Sequence, residues 1–336
     1  MTTALFWSII LLTVGFTMTN GFLDGGGIIS TVVATRAMNP FPALVLVASC
    51  EAAGLFVLGH AVARTVGLRL FSFPLAAAPE RILWVLACAL LGALSWNLLM
   101  WRLSLPSSSS HSLIGGLLGA SLMGFGVSSI RLPVAVTILI LLGIGPWVAA
   151  VTSFLLSRLL RWFGQWVVPA VTIILHKLHG AVSGGLALAH GSMDGQKSLA
   201  IMWLAMACCS TGGSRIHSAA PFLCSGALML GVILGSNRTM RTLGRGLYPM
   251  LSHQGLCAET AAMAVVGASS LIGWPMATSH AMSSAVLGAG AAVHPRGIRW
   301  GTASEIVLAW IFTIPCSGLF AAVLFGLLQR GFHVVP

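Results

Sequence analysis

The chain has 336 residues, of which 57% are hydrophobic and only 7% charged, against about 25% charged in an ordinary soluble domain. That excludes a water-soluble globule and defines an integral membrane protein. Its 17 Lys and Arg against 6 Asp and Glu, a net charge of +11, are nearly all arginines between apolar runs; they suit loops against anionic headgroups and offer no soluble basic face for nucleic acid.

A spanning helix needs about twenty apolar residues. In chain order, apolar runs fall at 4–22, 41–62, 82–101, 133–157, 164–176, 180–191, 198–209, 219–236, 256–273 and 303–328. The first, MTTALFWSIILLTVGF, lacks the basic leader and small-residue cleavage site of a signal peptide, so it is expected to stay as a first span. The runs between 164 and 209 are too short to span alone. Lys177, His179 and the polar stretch AHGSMDGQKS at 189–198 interrupt them, which predicts broken helices lining a cavity. Arginines follow most spans on both sides, so charge does not set the orientation. The seven cysteines lie in apolar runs without paired metal spacing, so neither a disulfide framework nor a zinc site is expected.

Two stretches break the pattern of spans. LPSSSSHSLIGGLLG, Leu105 to Gly119, and WPMATSHAMSSAVLG, Trp274 to Gly288, each run from a proline through hydroxyl residues and a histidine into a short apolar helix. Re-entrant hairpins fit both. The hydroxyls satisfy backbone freed at the break, and the helix that follows directs its N-terminal amides toward the midplane.

These stretches belong to a repeat. Asp24 returns as Asp194, while Pro106, His111, Gly119, Pro146 and Arg161 return as Pro275, His280, Gly288, Pro315 and Arg330, at an offset of 169 or 170 residues throughout. Residues 1–162 and 163–336 are therefore read as two copies of one unit, forming one transport domain. Repeats of this kind in transporters are commonly inverted, with substrate and coupling ion held between them near the midplane. The expected fold is an all-α polytopic bundle of two inverted repeats with broken helices and two re-entrant hairpins, in the cell membrane.

A charged side chain at membrane depth costs roughly 2.5 to 3.5 kcal/mol on insertion scales, so Asp24 and Asp194 are expected to face a cavity or a partner. They are candidates to bind a cation or exchange a proton; Asn20 is a further candidate ligand, and Glu51 and Glu259, within apolar runs, are candidates either for that coupling role, which the family resemblance given below encourages, or for pairing with an arginine. An oxyanion needs donors, and Ser107, Ser108, Ser109, Ser110, Thr278 and Ser279 supply hydroxyls for it. Gln196 and Lys197 are further substrate candidates, Lys197 being spaced for a helix pair with Asp194. His111 and His280 are expected to brace the hairpins. No enzyme's catalytic residue, metal site or cofactor is expected, and no phosphate-binding Gly-x-x-x-x-Gly-Lys-Ser/Thr run is present.

At these residues the chain resembles the PiT family of inorganic phosphate transporters. The likeness rests on Asn20, Gly21, Phe22 and Asp24, with Thr31, Val33 and Thr35-Arg36-Ala37 beyond them; on His190, Gly191, Asp194, Gln196 and Lys197; on Pro106, Ser108, Ser109, Ser110 and His111; and on Pro275, Thr278, Ser279 and His280. Glu51, Arg241 to Gly244, Glu259 and Trp310 to Pro315 extend it over nearly the whole chain. The resemblance implies cation-coupled phosphate symport by alternating access, with Asp24, Asp194 and the hairpin hydroxyls lining the sites. Two family asparagines are Gly27 and Met193 here, and a family serine is Ala277. Lost amide ligands shift the expected coupling ion from sodium toward a proton. The partners implied are inorganic phosphate, that cation and the lipid bilayer; a homodimer is compatible. Competing readings are a permease for sulfate or another oxyanion, a metal-phosphate carrier, a degenerate homologue, and an intramembrane hydrolase using Ser, His and Asp. The hydrolase reading is weakened because its hydroxyl runs are duplicated and no nucleophile elbow is present.

Overall fold

The computed structural model describes residues 2–75, 78–103, 107–164, 171–209, 214–248 and 250–332. Among them the chain is helical almost throughout, the β-type pairing being an isolated bridge between Phe71 and Ile130. The first half runs α1 (Thr2–Asn20), a π-helical turn (Gly21–Gly25), α2 (Gly26–Ala34), α3 (Pro40–Val57), the short α4 (Ala61–Arg64), α5 (Pro79–Leu103), α6 (Ser109–Phe125) and α7 (Leu132–Gly164). The second runs α8 (Val171–Ala207), α9 (Ser214–Gly246), α10 (Ser252–Ile272), α11 (Thr278–Val293) and α12 (Trp300–Phe332). Seven helical stretches are long and apolar enough to cross a membrane, with α1 through α2 taken as one. The chain is a multi-pass membrane protein, with residues such as Trp147, Ile311 and Leu319 exposed on its outer face.

Within residues 171–207 the breaks expected at 177–179 and within 189–198 are not there. The structure has one α-helix of 37 residues, α8, where three separate runs were anticipated. No proline interrupts this stretch, and its polar residues pair with one another and with neighbouring helices, so its backbone ladder has no reason to open. Those residues lower its apolarity, and it is not among the seven most apolar spans. The interruption falls in the first half, where Gly21–Gly25 forms a π-helical turn around Asp24. A π-turn inserts an extra residue and re-aims a side chain, and such turns are common at functional positions.

The two halves pack reciprocally. Helix α6 lies against α12, and α11 against α7, so each hairpin helix is held by the last helix of the other half. Glycines make these contacts close: a Cβ on Gly119 would meet the Gly318 carbonyl, and one on Gly288 the Ala150 carbonyl. The same exchange occurs beside the aspartates. Gly21 presses α1 onto the backbone of α9 at Leu228, and Gly191 presses α8 onto the backbone of α3 at Glu51. Asp24 and Asp194 each lie three residues after such a glycine, so both are carried into the seam between halves.

Candidate functional site

Helix α8 presents His179, Ser183, His190, Asp194 and Lys197, all buried, at spacings that keep them on one face. The π-turn presents Asp24. The hairpin helices supply the third side. Ser108 caps α6, its Oγ accepting from the His111 backbone N–H at 3.2 Å and lying 2.9 Å from His111 Nδ1. The hairpins then meet tip to tip: Ser110 Oγ donates to the Met276 carbonyl at 2.7 Å, and Ser279 Oγ to the Ser107 carbonyl at 3.3 Å. The rings of His111 and His280 lie 4.3 Å apart, and His280 stacks on Trp310 at 3.9 Å. Pro106 lies outside the described residues, as does Leu105.

At the meeting point is a charged centre. Ser109 Oγ lies 2.9 Å from Asp24 Oδ2 and 3.4 Å from Asp194 Oδ2. Lys197 ion-pairs with Asp194 and donates to Ser110 Oγ. His190 is the hub: its Nε2 is 3.3 Å from Asp194 Oδ2 and 3.9 Å from Asp24 Oδ2, and its Nδ1 is 2.8 Å from Glu51 Oε1. Ligand atoms of Asp24, His190 and Asp194 lie within 4.8 Å of one another, a grouping that could share one cation. No metal site was expected from the sequence, because residues 170 positions apart show no ligand spacing.

Several buried polar atoms here have no protein partner among the described residues: both amide atoms of Asn20, Asp24 Oδ1, Ser107 Oγ and Thr278 Oγ1. Such atoms cost about 1–3 kcal/mol each when nothing meets them, so each is a candidate contact for a polar guest. The two hairpin helices also begin in this region, and their N-terminal amides favour an anion.

Not every expected residue joins the centre. Gln196 is engaged elsewhere: its Oε1 accepts from the Val62 N–H at 2.7 Å and the Ala63 N–H at 3.4 Å, while its Nε2 donates to Ser192 and Ser270 at 2.7 and 3.1 Å. With both ends of the amide bonded, Gln196 fastens α4 to α8 and α10. Its place next to Lys197 in sequence puts it about 100° around the helix, on another face. Glu259 is also apart, accepting from Thr31 and Ser183 and lying 3.4 Å from His179 Nε2. Sequence reasoning missed Asn97, a fully buried amide on α5 without a protein partner among the described residues, and Ser198, which receives the Thr17 hydroxyl at 2.7 Å. Asn97 sits in an apolar span where no motif marks it.

Buried charge enclosed where like halves of an all-helical membrane bundle meet is the architecture of a membrane carrier, not of an enzyme. The chain belongs to the phosphate transporter family, whose profile matches twice, over residues 20–182 and 167–321. A protein of Mycobacterium tuberculosis H37Rv named "Probable low-affinity inorganic phosphate transporter" is 33% identical over 96% of this chain and 77% of its own length. Proteins with the same name in Rhizobium meliloti and Bacillus subtilis are 32% and 28% identical, over 92% and 96% of this chain and 92% and 97% of theirs. Among solved structures, one described as "The sodium-dependent phosphate transporter" aligns with a TM-score of 0.83 over 98% of this chain and 100% of its own, at 17% identity. At that identity the likeness shows the fold, and the PiT resemblance of the motifs is carried by the family match.

Proposed function

We propose that this protein is a secondary transporter of inorganic phosphate, coupled to a cation that is a proton, working by alternating access of its two halves. The observation that carries this reading is Ser109, a hairpin hydroxyl shared between Asp24 of one half and Asp194 of the other. Its one hydrogen goes to Asp24 at 2.9 Å, while Asp194, 3.4 Å away, is met by Lys197 and His190, so a single hydroxyl ties the carboxylates of both halves to the hairpin. The charge balance agrees. Asp24, Glu51 and Asp194 are enclosed with Lys197 and His190, which together offer at most two positive charges against three negative. An anion joins such a centre only together with a cation or proton. Phosphate oxygens would accept from Ser107, Thr278, Lys197 and the amides that open α6 and α11, with Asn20, Ser108, Ser110 and Ser279 framing the pocket. Reciprocal packing across the seam supports motion of one half against the other.

The proton reading draws on Met193. Its Sδ faces the Met276 N–H at 3.4 Å, where the family's asparagine would offer an oxygen to a hard cation such as sodium. Phosphate over sulfate follows from the carboxylates, since monohydrogen and dihydrogen phosphate carry a proton to donate and sulfate at neutral pH does not. The test is radiolabelled phosphate uptake into proteoliposomes under imposed proton or sodium gradients, with excess unlabelled sulfate. Uptake driven by the proton gradient, resistant to sulfate and lost in Asp194→Asn is expected. Full competition by sulfate, or uptake that follows sodium alone, overturns the substrate or the ion.

A further inference from the structure

We propose that the His179–Glu259 pair is a second proton-exchange site, through which the coupling proton passes between one face of the membrane and the Asp24–Asp194 centre. This rests on the proton-coupled phosphate reading above and places a separate step of it.

The pair is fully buried. Glu259 of α10 accepts from Thr31 of α2 and Ser183 of α8, and His179 Nε2 is 3.4 Å from its Oε2. The tautomer of His179 sets the proton count. Thr35 Oγ1 lies 2.8 Å from the Thr31 carbonyl and 3.3 Å from His179 Nδ1, so when its single hydrogen goes to the carbonyl it accepts from Nδ1–H. In that tautomer Nε2 and the Glu259 carboxylate face each other as two acceptors, with room for one proton between them. A carboxylate and an imidazole in contact in an apolar bundle have the chemistry to pass a proton between them, and ionisable groups at membrane depth mark functional positions.

Its position fits a relay. Thr31 follows Asp24 by seven residues and Ser183 precedes His190 by seven, so along both α2 and α8 the pair stands about 10 Å from the centre at 1.5 Å rise per residue. In the other direction a polar file leads outward. Ser252 Oγ donates to the Thr35 carbonyl at 2.9 Å, and His176 Nε2 lies 2.9 Å from Ser252 Oγ, both residues being half-buried. Other ionisable groups on the packed helices include His176 and Lys177 of α8, Cys50 and Glu51 of α3, His253 and Cys257 of α10, Arg158 and Arg161 of α7, His217 and Cys224 of α9 and His280 of α11, with Arg36 just beyond α2. None of them pairs with Glu259, whose ion-pair partner among the described residues is His179.

The experiment uses the full chain in proteoliposomes and reads two quantities: proton-driven accumulation of radiolabelled phosphate, and phosphate exchange at equal pH on both sides. A pH difference of one unit supports about tenfold accumulation per coupled proton in the wild type. Glu259→Gln and His179→Gln are expected to abolish accumulation, bringing the ratio to about one, while exchange continues and loses its dependence on pH. Accumulation unchanged in both variants, or exchange and accumulation falling in parallel in folded protein, overturns the proposal. Should Glu259→Gln fail to reconstitute, Thr35→Val leaves both members of the pair in place and removes the hydroxyl beside His179 Nδ1, together with its local bond to the Thr31 carbonyl. A shifted pH profile of uptake is then expected, and an unshifted one counts against the relay. Absence of phosphate exchange in the wild type itself would instead bring down the phosphate reading on which the proposal stands.

Discussion

Lys197→Met tests the charge balance of the centre directly. Lys197 is 1% exposed and bonds to Asp194 and Ser110, with its aliphatic stem enclosed among the helices, so methionine keeps most of the volume and removes only the charge and its donors. With His190 as the remaining cation, the three carboxylates would stand at minus two instead of minus one. Removing one partner of a buried ion pair costs about 3–5 kcal/mol, because the other charge is left enclosed without compensation. Replacing both partners is far cheaper, so Lys197→Met/Asp194→Asn is expected to recover most of that loss while remaining inactive in transport. The assay is thermal or denaturant unfolding of the purified protein in one detergent, read for wild type, both single variants and the double variant. A Lys197→Met variant as stable as wild type, or a double variant no more stable than the worse single variant, would refute the reasoning.

Gln196→Ala should leave the Val62 N–H and the Ser192 and Ser270 hydroxyls short of a partner, costing about 1–3 kcal/mol of stability with the KM for phosphate little changed; a large rise in KM in stable protein would return Gln196 to the substrate site. Thr278→Val should weaken phosphate uptake about tenfold through KM, the loss of one hydrogen bond to a charged group, and Thr278→Ser should restore it. Gly191→Val should abolish accumulation of folded protein, as judged by size-exclusion profiles after expression, since its side chain would enter the Glu51 backbone. On the proton-coupled reading, Gly27→Asn/Met193→Asn, returning both family amides, should introduce sodium stimulation of phosphate uptake, and uptake equally insensitive to sodium in variant and wild type would count against it.

The elements differ in how far their sequences announce them. The hairpins are plain, because a proline, a run of hydroxyls and a histidine that recur together at a fixed offset do not belong in an apolar span, and the helices at Ser109–Phe125 and Thr278–Val293 begin within them. The interruption was misplaced. Polar residues in α8 looked like breaks when judged by apolar run length, yet 179, 183, 190, 194 and 197 follow helical spacing throughout, the signature of one continuous polar stripe. Conversely, GFLDG at 21–25 is marked by Asp24 as a candidate site, yet nothing local announces a π-turn there, where Gly21 lies against the backbone of α9.

The sequence by itself determined the membrane class and the family, because transfer energies and motif spacings are properties of the chain alone. Tertiary structure decided the partnerships. That His190 joins Asp24, Glu51 and Asp194, that Lys197 reaches a hairpin serine, and that Gln196 and Glu259 serve elsewhere all depend on which helix faces which across the seam. Those contacts join residues far apart in the chain, and the backbone approaches that create them are set by glycines whose partners lie in the other half.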